Sequence, residues 1–117
     1  MNRQNYVDGF LCPVKAHDRE RYLAVATAAA GLFRKHGALS VVECWGDDVP
    51  EGQLTSMPMA VKLEQGEVVV FSWVVWPDKA VRDRGMQAVM DDPAMPKDMP
   101  FDGKRLIYGG FQPMLVA

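Results

Sequence analysis

Two carboxylates stand where a carboxylate is costly. Asp8 interrupts Tyr6–Val14 (YVDGFLCPV), and Glu43 interrupts Leu39–Trp45 (LSVVECW). Both stretches are otherwise largely apolar and rich in strand-forming residues. On a covered sheet face such a group must be hydrogen-bonded, paired with a cation or protonated, because an isolated buried charge is expensive. A carboxyl whose pKa is lifted by its surroundings is suited to general acid or base work. Glu43 shares strand parity with Val41, Trp45 and Asp47, which sets a carboxylate beside an indole on one face and makes a plausible pocket floor. The competing reading is structural: an ion pair with Arg82, Lys104 or Arg105, or a partly solvated rim.

His36 closes the helical stretch before Gly37. There it can shuttle protons at a pocket mouth or simply sit at the negative end of a helix dipole. Catalytic candidates are therefore Glu43, His36 and Asp8. Trp45, Trp73 and Tyr108, with Ser72 as the polar break in Val68–Trp76, are the ligand-binding candidates. Aromatic rings on strands, Trp76 included, serve core and interface equally well.

Other chemistries lack their residues. Cys12 and Cys44 have no metal-type spacing with each other or with His17 and His36, so they are expected as buried free thiols. Asp47, Asp48 and Glu51 form an acidic turn without the calcium-loop pattern. Gly109–Gly110 is not followed by the lysine and helix start of a phosphate loop. There is no Gly-x-Ser-x-Gly elbow and no zinc-type histidine pair. Neither a metal nor a cofactor is expected; for haem, the end of a helix is an awkward place for His36 as an axial ligand.

The elements that must position these residues follow from periodicity. Tyr6–Val14 reads as a strand, with Pro13 near its end or on an edge. His17–Asp18 offers a helix N-cap. From Arg19 to His36 the residues Tyr22, Val25, Ala26, Ala29 and Phe33 recur at helical spacing, and Gly37 supplies the stop. Leu39–Trp45 is a second strand, Gly46–Gly52 a loop, and Met59–Leu63 a short extension of the next hairpin. Glu67–Trp76 is the third strand. Asp78 caps a second helix reaching about Met90, within which Gly85 marks a close contact. Pro93–Gly103 is long enough for a lid or an interface arm. Leu106–Val116 is the fourth strand, in which Gly109–Gly110 signals a bulge or a close approach to the backbone.

With 117 residues the chain amounts to a single domain, 1–117, able to bury a core without disulfides. A net charge of −2 argues against nucleic acid or an anionic lipid surface as partner. No apolar run is long enough to span a bilayer, and Met1–Asn5 leads into no signal-type apolar segment. The cytoplasm is the expected location.

Strand parity predicts a homodimer. Val69, Phe71, Trp73 and Val75 fall on one face of the third strand, and Val68, Val70 and Trp76 on the other. Two helices joined by right-handed crossovers cover one face only. The remaining apolar face calls for a second copy, unless the flanking loops fold over it.

Several motifs together resemble the bacterial YbaA-like family: Tyr6–Phe10 (YVDGF), His36–Leu39 (HGAL), Glu43–Val49 (ECWGDDV), Val70–Trp73 (VFSW), Pro77–Lys79, Arg82–Asp83, Met99–Arg105 (MPFDGKR) and Tyr108–Phe111 (YGGF). They run through nearly the whole chain. The resemblance implies an α+β, ferredoxin-like βαββαβ sandwich, an antiparallel sheet with two helices on one face, in the dimeric α+β barrel superfamily. It carries no catalytic residues with it, and fold alone does not assign function. Two functions stay open. One is the binding or transformation of a small, partly apolar organic molecule in a sheet–helix pocket. The other is a non-catalytic dimeric module for metabolite sensing or protein docking.

Overall fold

The computed structural model describes all 117 residues. Its elements are β1 (Tyr6–Lys15), α1 (Arg19–Lys35), β2 (Ser40–Trp45), α2 (Met57–Ala60), β3 (Glu67–Trp76), α3 (Lys79–Asp91) and β4 (Ile107–Phe111), with a 3₁₀ turn at Ala16–Asp18 leading into α1. The strands form one antiparallel sheet in the order β2-β3-β1-β4. No helix is long and apolar enough to cross a membrane.

Cross-strand partners share a face. Phe10 pairs with Ser72, Cys12 with Val70 and Asp8 with Val74; Val41 pairs with Val74, Glu43 with Ser72 and Trp45 with Val70. This set looks toward the helices. Phe33, Ala38, Val74, Trp76 and Val89 form one buried cluster, and Cys12, Val14, Tyr22 and Val70 form the other. The opposite face carries Phe71, Trp73, Val42 and Cys44, joined by Ile107 and Phe111 of β4 through their pairing with Leu11 and Val7.

Local chemistry accounts for most boundaries. Asp78 accepts a 2.8 Å bond from the Val81 N–H and caps α3. Gly37, at φ 113°, turns the chain out of α1. Asp18 occupies the N-cap of α1 but its side chain makes no capping bond, since the 3₁₀ turn already leads the backbone into the helix. At Gly85 a Cβ would meet the Trp76 indole and lie 2.5 Å from the His36 carbonyl oxygen, so glycine is what lets α3 sit down on β3 and the end of α1.

Two expected elements differ. Met59–Leu63 was expected as hairpin extension; the chain instead forms α2, because Ser56 accepts from the Met59 N–H at 3.1 Å and Pro58 suits a first helical turn. The last strand was expected to reach Val116 and stops at Phe111. The Gln112 side chain donates to the carbonyls of Arg3 and Asn5, and Pro113 has no N–H to continue a ladder. As for Gly109–Gly110, the close approach is at Gly110, where a Cβ would lie 2.5 Å from the Tyr6 hydroxyl and 2.7 Å from Arg82 Nη2.

Candidate functional site

Between the sheet and α1 lies a hollow of about 320 Å³. Small residues on α1 make room for it: Ala26, Ala29 and Ala30 line one wall. The sheet supplies Phe10, Cys12, Val41, Glu43, Ser72 and Val74. The arm after α3 closes it with Met95, Pro96, Met99 and Phe101. Glu43 is the only charged side chain in the wall.

Glu43 sits on the edge strand, at the mouth, and keeps part of its surface in solvent. Its Oε1 accepts a 2.6 Å hydrogen bond from the Tyr22 hydroxyl. Loss of surrounding water raises the Glu43 pKa, against the lowering effect of the Tyr22 bond. Tyr22 is itself pushed well above the usual phenol range, first by burial and then by its acidic neighbours Cys12 and Glu43. The Cys12 Sγ lies 4.0 Å from the same hydroxyl, and burial pushes its thiol up to about 11. At neutral pH the thiol is protonated and a poor nucleophile. The three residues make a line of weak acids from the buried sheet to the mouth, able to hold or pass a proton at Glu43. Beside the mouth, the Arg19 guanidinium lies 5.3 Å from the centre of the Trp45 ring.

The other sequence candidates lie elsewhere. Asp8 is 2% exposed and fully engaged: it accepts from Trp76 Nε1 at 2.9 Å and from Arg82 Nε and Nη2 at 2.9–3.2 Å. Arg82 also covers the Tyr6 ring at 5.0 Å. This is the ion-pair reading, with Arg82 serving Asp8 and not Glu43. Arg105, another of the cations considered, instead grips Glu67 through two bonds of 2.7 and 2.8 Å, which holds the Glu67 carboxyl below its ordinary range. His36 is outside the hollow. Its Nε2 is 2.9 Å from Asp92 Oδ2, where Lys35 also reaches at 3.2 Å. These bonds hold the Asp92 carboxyl well below the usual carboxylate range, His36 contributing most. They fix the start of the arm.

Trp73 is on the opposite sheet face, its ring 5.3 Å from that of Phe71. Tyr108 is 75% exposed; it lies over Phe10 at 6.2 Å but on the outer strand β4, beyond the hollow. The structure thus brings Glu43 and Ser72 together and leaves Asp8, His36, Trp73 and Tyr108 apart from them. Tyr22 and Cys12 were missed as site residues. Tyr22 was visible only as one apolar position of a helical stripe, although a tyrosine there needs a partner for its hydroxyl.

A four-stranded antiparallel sheet under two longer helices, with a mostly apolar hollow between them, defines a small α+β protein. The chain belongs to a family of proteins of unknown function, DUF1428, whose family model matches residues 5–103. It is 51% identical over 113 residues to "Uncharacterized protein YbaA" of Escherichia coli strain K12, across 94% of this chain and 97% of that protein. The protein of the same description from Shigella flexneri matches to the same extent. The YbaA-like resemblance is therefore met at the level of the family.

Proposed function

We propose that this chain binds, or binds and transforms, a small partly apolar organic molecule in the hollow between sheet and helices, with Glu43 as the acid–base group. The observation that carries this reading is the composition of the wall: a single carboxyl, hydrogen-bonded to a buried phenol, at the mouth of an otherwise mainly apolar hollow. Asp8 and His36 act here as anchors of the frame, Asp8 through Arg82 and His36 through Asp92.

The strand order β2-β3-β1-β4 with both long helices on one face supports a ferredoxin-like sandwich. For the second face we propose a second copy of the chain, as in dimeric α+β barrels. Phe71 (42% exposed), Ile107 and Phe111 (62% exposed) support this, since soluble monomers rarely leave a contiguous apolar patch open.

A native mass spectrum of the protein purified from cells tests the pocket. A reproducible extra small mass on the wild type, lost in Ala26→Trp, which fills the hollow, is expected. An Ala26→Trp protein that keeps the same extra mass overturns the placement.

A further inference from the structure

The polar atoms of the hollow are few and their placement is selective. Ser72 is 6% exposed and lines the hollow, where its hydroxyl is free to donate. It is the direct cross-strand partner of Glu43. Side chains so paired have Cβ atoms about 4.5–5.5 Å apart, so a single ligand oxygen can touch both. Glu43 Oε1 already accepts the hydrogen bond of the Tyr22 hydroxyl, which leaves Oε2 as the acceptor for a ligand. The wall offers no lysine, arginine or histidine.

Resting on the pocket reading above, we propose that the hollow takes a neutral, mainly apolar molecule with one hydroxyl group, an alcohol or a phenol, whose oxygen donates to Glu43 and accepts from Ser72. Of the common polar heads, the hydroxyl satisfies both partners without bringing a charge into the hollow. A carboxylate meets Glu43 as a like charge with no cation in the wall to offset it. An ammonium can donate to both partners but must give up its hydration and carry a charge in among mainly apolar walls. A ketone has no proton to give and leaves the ionised carboxylate of Glu43 with an unused acceptor. A volume of about 320 Å³, at about 30 Å³ for each water-sized group, suits a body of about ten non-hydrogen atoms.

The test is an amide NMR titration of the wild-type protein with four matched probes: 4-ethylphenol, ethylbenzene, 4-ethylbenzoate and 4-ethylbenzylamine. The phenol is expected to bind about tenfold tighter than ethylbenzene, shifting Val25, Ala29 and Val41, with the acid and the amine weaker than either. Ser72→Ala and Glu43→Leu are each expected to erase most of the phenol's advantage, read as the ratio of phenol to ethylbenzene affinity within the same variant. Equal affinity for phenol and ethylbenzene overturns the hydroxyl inference while the pocket stands. Tightest binding by the acid or the amine overturns the neutral head group. No shifts at those residues with any probe overturn the pocket reading itself, and this inference with it.

Discussion

The Tyr22 hydroxyl on α1 donates a 2.6 Å hydrogen bond to Glu43 Oε1 on the edge strand β2, tying the helix layer to the rim of the sheet. That bond is what opposes the desolvation of the carboxylate. Tyr22→Phe should therefore raise the Glu43 pKa further, as followed by carbon NMR of its carboxyl. It should also destabilise the protein by about 1 kcal/mol, the net worth of one such bond.

The pH dependence has a definite sign. Burial lifts Glu43 above its ordinary value of 4.5, so the folded state keeps a proton that the unfolded chain has lost. The resulting stabilisation is full below the unfolded pKa and disappears as pH rises through the folded one. Glu43→Gln should remove this slope and gain stability relative to the wild type between pH 4.5 and neutrality. The gain should stay below about 1 kcal/mol because the carboxylate is partly solvated. Denaturant unfolding at a series of pH values measures it.

Asp8→Ala should be far more damaging. It strips the Arg82 guanidinium and the Trp76 N–H of their shared acceptor, and breaking a buried pair from one side costs about 3–5 kcal/mol. Urea unfolding reads this directly; a loss below about 1 kcal/mol contradicts a structural role.

Gly85→Ala sets two effects against each other. Alanine favours a helix interior over glycine by about 1 kcal/mol, but its Cβ meets the Trp76 ring and the His36 carbonyl. Overpacking of this kind costs about 1–3 kcal/mol, and the backbone oxygen cannot swing away as a flexible side chain would. The variant should melt below the wild type in a calorimetric scan.

Phe71→Glu should convert a dimer into a folded monomer, seen as a halved mass by sedimentation at micromolar concentration with an unchanged circular dichroism spectrum. A wild-type protein that already sediments as a monomer rules out the second copy over the Phe71–Phe111 face.

An acidic residue inside an apolar strand is conspicuous in any sequence, and both Asp8 and Glu43 could be found that way. Their partners could not. Arg82 reaches Asp8 because α3 crosses that end of the sheet and Gly110 leaves space for the guanidinium, a relation between residues far apart in the chain. Helical periodicity put Tyr22 on the buried stripe but not the end of its ring against β2. Parity within β3 revealed that both sheet faces carry apolar bulk. It could not show that Trp73 faces away from the hollow while Ser72 faces into it, because that choice depends on which side the helices take. The prolines of Pro93–Gly103 announced an arm, yet they could not show that Met95 and Phe101 turn inward to line the hollow.

The central place of β1 in the sheet governs how the chain must be assembled. β1 pairs with β3 along its whole length and with β4, both of which lie far from it in sequence. Until those segments dock, the ladder groups of β1 are bonded to water and Asp8 has no Arg82. A helix can form locally, but this sheet closes late, and loop-closure entropy must be met before its contacts accumulate. The sheet therefore forms only once the β3 and β4 segments both reach β1, which ties the folding rate to contacts between distant parts of the chain and not to helix formation.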